Sequence, residues 1–315
     1  MFDIRKGVNF GGWMSQCDYS RDRLDNFITE KDFEIIASWG ADHVRLPVDY
    51  DVILNKDMSL KDEGFDRIVR AVSLAEKNGL KLVIDLHKTV GYSFDLDVDE
   101  AGFFENEKYQ EIFYKIWEKF AELFGSKSDS VFFELLNEVT DKEFIDPWNR
   151  IWQECVKRIR AIAPVTPILV GSYYNNAVST VRYLEKPDDE NIIYNFHCYE
   201  PFAFTHQGAS WVPEDVLPRA QRVAFNESGA TVEYFEELFE DAINKAKEDG
   251  KLLYCGEYGV IDIASPEDTL SWYKVINQVF EKHGIGRSCW SYKQMDFGIS
   301  DPRMDKVRDE LIKYL

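Results

Sequence analysis

Short apolar or β-branched runs alternate eight times along this chain with longer amphipathic ones, and that rhythm constrains the fold more than any other feature. The short runs read as strands over 5–10, 43–48, 80–87, 131–138, 168–172, 192–199, 252–258 and 287–292. Helical periodicity falls between them, over 63–78, 108–124, 148–162, 232–248 and 267–283. Thr29 and Thr231 stand where helix N-caps belong, and Gly40, Gly79, Gly125, Gly250 and Gly284 stand where helices end. Eight such units in 315 residues allow about 39 residues each, a natural spacing for an α/β fold of the (β/α)8 TIM-barrel type. No Pro- or Ser-rich linker and no low-complexity tract interrupts the pattern, so a single domain over 1–315 is expected. A doubly wound open sheet would want a GxGxxG turn after its first strand, and GVNFGGW at 7–13 has glycines without that spacing.

Strand alternation locates a site within this barrel. Inward positions should be mostly Val, Ile and Leu. Instead, the parity that includes each strand's last polar residue carries His43 and Arg45, Asp85 and His87, Glu134 and Glu138, Asn195, His197 and Tyr199, and Glu257. Burying so many polar groups costs free energy unless each is paired, and barrel active sites lie at the carboxyl ends of strands, where these residues cluster. Glu134 and His43, mid-strand, read as buried structural partners of Arg45 or a neighbour. Asp85 reads as an orienting group for His87 or a backbone amide. The convergence of the remainder is the functional signal.

These strand ends resemble those of a known family. VFFELLNE at 131–138 resembles the Asn-Glu strand end of clan A glycoside hydrolases. HVRLP at 43–47, DLH at 85–87, FHCY at 196–199, GEYG at 256–259 and CWSY at 289–292 resemble the corresponding ends of family 5, in order and from Gly7 to Tyr292. FTHQGASW at 204–211 is similar to a sixth-strand loop of its endoglucanase-like members. The resemblance implies a retaining hydrolase with Glu138 as acid/base and Glu257 as nucleophile. It further implies that Arg45 holds Glu257 ionised, that Asn137 bonds the sugar 2-hydroxyl, that His87, His197 and Tyr199 line the same subsite, and that Trp290 floors it. Asn137 has the opposite strand parity to Glu138, so its role requires a twist or bulge at the strand end.

Trp13, Trp211 and Tyr173 also fall in loops that could stack a flat ring on a pyranose, against a background of 46 aromatic residues that mostly fill the core. His206, beside Trp211, could bond a hydroxyl or hold its loop. The substrate class implied is a β-1,4-glucan polysaccharide or oligosaccharide, with mannan or glucomannan the nearest alternative, acted on by a monomer. Two carboxyls suffice for the chemistry, so neither cofactor nor metal is expected.

Other classes fit less well. A net charge of −20 repels nucleic acid and anionic membrane surfaces, and no run approaches the ~18 apolar residues of a membrane span. Five cysteines without CxxC spacing give neither a disulfide framework nor a zinc site and read as core thiols. A metal-dependent barrel hydrolase would show an HxH pair where this first strand ends in Asn9-Phe10-Gly11-Gly12. A phosphate-handling barrel would want a Gly-rich loop after strand seven or eight, and a non-catalytic sugar binder would lack one of the carboxylates. The start MFDIRKGVNF has no apolar leader segment, which favours a cytoplasmic protein, or a secreted one if the chain is an excised mature domain.

Overall fold

The computed structural model describes residues 3–95 and 100–315. Eight parallel strands close into one barrel in sequence order. They are β1 (Lys6–Asn9), β2 (His43–Asp49), β3 (Lys81–Lys88), β4 (Val131–Glu134), β5 (Ile168–Gly171), β6 (Ile192–Cys198), β7 (Leu252–Tyr258) and β8 (Gly286–Cys289). Outside them lie α1 (Glu30–Ser38), α2 (Asp62–Lys77), α3 (Glu107–Phe124), α4 (Ile145–Ile162), α5 (Val232–Asp249) and α6 (Pro266–His283). The fifth unit departs from the pattern: a short turn and a 3-10 helix, Val178–Tyr183, make that crossover.

The caps follow local chemistry. The Asp32 carboxylate accepts the Thr29 N–H at 2.7 Å, and the Thr231 hydroxyl accepts that of Tyr234 at 3.1 Å. Gly250 and Gly284 close α5 and α6 in the left-handed conformation that glycine adopts without a Cβ clash. Gly125 instead keeps a right-handed φ and runs on into a 3-10 turn. Aromatic rings carry much of the layer between barrel and helices. Phe120 of α3 lies 5.3 Å from Trp117 and 5.2 Å from Phe65, and Trp117 in turn packs on Phe133 of β4.

Inside the barrel, alternation produces two unlike layers. Ile4, Val83, Phe132, Leu169, Ile193 and Tyr254 form a separate apolar cluster at the amino-terminal end. Two residues further along β3, β4 and β6 come Asp85, Glu134 and Asn195, joined by Arg45 from β2, all fully buried. Two glycines make room for this polar layer. A Cβ on Gly7 would come within 2.2 Å of the His43 ring, and one on Gly256 within 2.7 Å of Asn195 Oδ1.

Two strands abandon regular alternation just before a glutamate. With Tyr254 facing inward, strict alternation would turn Glu257 outward. The β6–β7 register instead passes from Phe196↔Cys255 to His197↔Glu257, so Gly256 is an extra residue that rotates Glu257 back into the barrel. On β4 the regular strand stops at Glu134, and Asn137 bonds back to the Leu86 carbonyl at 3.1 Å. That irregular end lets Asn137 and Glu138 both face the interior, which supplies the break in alternation that the sequence required.

All five cysteines are free thiols; four are buried and Cys17 is half-buried. Among the described residues, no helix is long and apolar enough to cross a membrane.

Candidate active site

Arg45 organises the carboxyl-terminal mouth of the barrel. Its side chain is fully buried, and a buried cation is tolerable only when its donors are satisfied. Nε and Nη2 donate to the two oxygens of Glu134, each at 2.7 Å. Nη2 also donates to Asn137 Oδ1 at 2.8 Å, while Nη1 donates to Asn9 Oδ1 at 2.9 Å and to Glu257 Oε1 at 2.6 Å. These five bonds use the five N–H donors of a guanidinium. Asp85 adds a third carboxylate, its Oδ2 3.0 Å from Nη2.

The structural partners expected from the sequence take their places around this cation. Glu134 also accepts from Asn195 Nδ2 at 2.9 Å. His43 is held between Asp42, at 2.5 Å, and the Tyr254 hydroxyl, at 2.7 Å. Asp85 Oδ2 lies 2.6 Å from His87 Nδ1. Burial pushes the carboxyls of Asp85 and Glu134 upward, with Arg45 pulling against it.

Above this layer stand two glutamates in unlike settings. Glu257 Oε1 takes the Arg45 ion pair, and Oε2 accepts the Tyr199 hydroxyl at 2.8 Å. Among the described residues Glu138 has no such ion pair. Oε1 lies 2.8 Å from His197 Nδ1, and Oε2 accepts from Asn175 Nδ2 at 2.9 Å. Burial raises its pKa to about 7 against the pull of the Asn175 amide, His87 and Arg45. An oxygen of each glutamate and a nitrogen of His197 lie within 4.8 Å of one another. This trio is the one group of three or more such ligands among the described residues close enough to hold a metal ion, although the Arg45 cation on Glu257 opposes a second positive charge there.

The His87 and His197 imidazoles are neutral near pH 7, because burial lowers both to about 4. His197 Nε2 is buried without a partner among the described residues. An orphaned N–H is costlier than an idle lone pair, so the proton sits on Nδ1 and is donated to Glu138 Oε1.

Trp290 is 6% exposed, with its ring parallel to that of His87 at 5.8 Å. The loop after β6 folds onto its other surroundings, since Ala209, Val212 and Leu217 share a small apolar cluster with Trp290, Ile261 and Phe297. His206 belongs to this packing: it stacks on Phe202 at 4.4 Å and meets Tyr199 edge-on at 5.0 Å. Burial pushes His206 down to about 3, so the ring holds the loop as a neutral aromatic. Trp211 is 44% exposed, 6.2 Å from His206, and free to meet a ligand. Tyr173 is buried against Tyr183.

Trp13 is placed elsewhere. Its indole N–H donates to the Leu24 carbonyl at 3.0 Å and its ring meets Phe10 edge-on, so it anchors the loop after β1 within the core. Arg45, His87, Asn137, Glu138, His197, Tyr199, Glu257 and Trp290 converge as the strand ends suggested.

Three neighbours went unrecognised in the sequence. Asn9 binds Arg45 and donates to the Gly256 carbonyl at 2.9 Å. It is itself the last polar residue of a strand, so the same rule would have found it. The Tyr92 hydroxyl donates to the Glu138 carbonyl oxygen at 2.6 Å from a loop without periodicity. Asn175 lies in a run, 174–176, whose three residues all have positive φ. Such a conformation costs about 1–3 kcal/mol per residue and tends to persist at functional sites. The only sequence signal for it was Asn-Asn, a pair that tolerates the left-handed region.

Comparison with known proteins places this geometry in context. A family described as cellulase (glycosyl hydrolase family 5) matches residues 5–296. The chain is 58% identical to cellodextrinase A of Ruminococcus flavefaciens over 91% of its own length and 84% of that protein's. It is 35% identical to endoglucanase C of Acetivibrio thermocellus, over 100% of this chain and 98% of that one. Among solved structures, Thermotoga maritima Cel5A in complex with a mannotriose substrate superposes with a TM-score of 0.83 at 25% identity, covering 99% of this chain and 97% of that one.

Proposed function

This chain belongs to the cellulase family, glycosyl hydrolase family 5, and from that premise we propose a retaining endo-β-1,4-glucanase with Glu138 as acid/base and Glu257 as nucleophile. The observation that carries the reading is the pairing of two carboxyls within 4.8 Å, one bound to a buried arginine and the other raised to about 7 by burial. Retaining glycosidases hold their carboxyls about 5–5.5 Å apart, whereas inverting ones leave room for a water between them.

In the first step Glu257 attacks the anomeric carbon while Glu138 gives its proton to the departing oxygen. Arg45 and Tyr199 hold the nucleophile, one on each oxygen. In the second step Glu138, now ionised, takes a proton from water as the water displaces Glu257 from the sugar. Asn137 and His87 line the glycone side, Trp290 supplies an apolar face for a sugar ring, and Trp211 extends the aromatic surface outward. The names of the two similar enzymes, an endoglucanase and a cellodextrinase, support a β-glucan substrate. The mannotriose complex of a structural neighbour favours a second reading in which mannan or glucomannan is also cut.

Release of reducing ends from carboxymethyl-cellulose, lichenan, glucomannan and mannan tests the substrate class, and proton NMR of the first product tests the stereochemistry. Glucans should react fastest and give the β anomer first. Initial α anomer would mean inversion and remove Glu257 as nucleophile.

The pH dependence follows from Glu138. The first step needs its carboxyl protonated, so kcat/KM should hold below about pH 7 and fall as pH rises through it. A profile flat from pH 6 to 9 would contradict the acid role.

A further inference from the structure

Asn175 lies outside every strand end that carries the proposed chemistry, yet its side chain reaches Glu138. The turn that presents it is tied to both of that carboxyl's surroundings. The backbone N–H groups of Tyr174 and Asn175 donate to the carbonyls of Thr140 and Val139, each at 2.9 Å, so the turn is fixed to the residues that follow Glu138. Ala177 forms a parallel bridge with His197, the partner of the other Glu138 oxygen. Asn175 itself is solvent-exposed, whereas His197 is 3% exposed.

We propose that Asn175 is a positioning residue for the acid/base: its amide holds Oε2 of Glu138 as the oxygen from which the proton leaves, on the side open to the departing sugar. The proposal rests on the reading of Glu138 as acid/base. His197 donates its Nδ1–H to Oε1, so that oxygen is occupied by a buried donor. Oε2 is held by an exposed amide that an incoming glycosidic oxygen can displace. An amide can also serve both protonation states. Its N–H₂ donates to the carboxylate, and after the amide turns over, its carbonyl oxygen accepts from the protonated acid.

A donor on the ionised carboxylate favours that form, and the Asn175 amide is foremost among the groups pulling Glu138 down against its burial. The other charged or titratable groups around Glu138 are Arg45 from β2, Asp85 and His87 from β3, and Asp95 from the loop beyond. His197 stands on β6, Tyr199 directly after it and Glu257 on β7, and Tyr92 comes from the loop after β3. Substituting Asn175 leaves all of these in place.

The test uses Asn175→Gly and Asn175→Asp, because both residues accept a positive φ where alanine would add strain. Two quantities are measured. One is the pKa of the Glu138 carboxyl, by carbon NMR on glutamate-labelled protein with the resonance assigned through Glu138→Gln. The other is the basic limb of kcat/KM on a soluble β-glucan. Asn175→Gly should raise both by about half a unit, and Asn175→Asp by about one unit or more, because two carboxylates would then share a proton. A Glu138 pKa unchanged or lowered in both variants overturns the proposal, as does a loss of activity with the limb unmoved and the carboxyl unshifted. A carboxyl that shifts while the kinetic limb stays put upholds the contact and counts instead against Glu138 as the acid.

Discussion

Glu257→Ala should abolish turnover on every substrate, whereas Glu138→Ala should divide substrates by their leaving group. The difference follows from what each carboxyl supplies. Without Glu257 there is no covalent route, and a better leaving group cannot restore one. Without Glu138 the first step loses its proton donor, but an aryl glycoside with an acidic phenol needs little protonation. Its first step should survive. Attack by water in the second step would then lack its general base, a loss of about 10²–10⁴-fold. The glycosyl-enzyme should therefore accumulate, giving a burst of phenol followed by a slow steady state. Azide needs no base to attack, so it should restore turnover and yield a β-glycosyl azide. Natural glucan, with a poor leaving group, should not be rescued. Stopped-flow absorbance of the phenol separates these outcomes, and identical or exchanged behaviour of the two variants would contradict the assignment.

Arg45→Met should be the most damaging single change to the framework beneath those carboxyls. It would leave Asp85, Glu134 and Glu257 together with no cation, where the wild-type arginine contacts all three within 3.0 Å. Removing one partner of a buried charge pair costs about 3–5 kcal/mol, a large part of the ~5–15 kcal/mol that separates folded from unfolded protein. The sign of its pH dependence is fixed by the carboxyls. Burial already raises Asp85 and Glu134, and the variant would lose the arginine that opposes this. The folded variant would then bind more protons than its unfolded chain, so its deficit should grow as pH rises above the ordinary carboxylate range and shrink below it. Arg45→Lys keeps the charge but has three donors in place of five, and a compact ammonium cannot bridge Glu134 and Glu257 as the fork does. Urea unfolding from pH 4.5 to 8 reads both variants. A deficit under 1 kcal/mol for Arg45→Met, or one that grew on acidification, would contradict this account.

The barrel was legible because its strands are short, β-branched and separated by helices with clean amphipathic faces. The candidate site was legible because polar residues on the inward parity violate core rules, and Arg45, His87 and His197 keep the parity of His43, Asp85 and Asn195 before them. Glu138 and Asn137 were harder. Their shared orientation depends on β4 losing regularity after Glu134, which nothing in VFFELLNE announces. Glu257 is similar, because its inward aim depends on an extra residue at Gly256, and a bulge is a property of two strands rather than one. Trp13 shows the converse failure. A tryptophan after a strand end can face ligand or core, and the choice is made by the Leu24 carbonyl, a distant backbone atom. Asn175 and Tyr92 sit in loops whose course is set by tertiary contacts, so periodicity could not reach them.

If Glu257 bonds covalently to the sugar while Glu138 handles the proton, mass spectrometry should catch the bonded enzyme. Glu138→Ala should be mixed with a dinitrophenyl β-cellobioside, quenched in acid during the burst, digested and sequenced by fragmentation. A cellobiosyl adduct should appear on the peptide that contains Glu257, at that residue, and should disappear when azide is added before the quench. An adduct on any other carboxylate, or a full phenol burst with no adduct, would contradict the covalent role of Glu257.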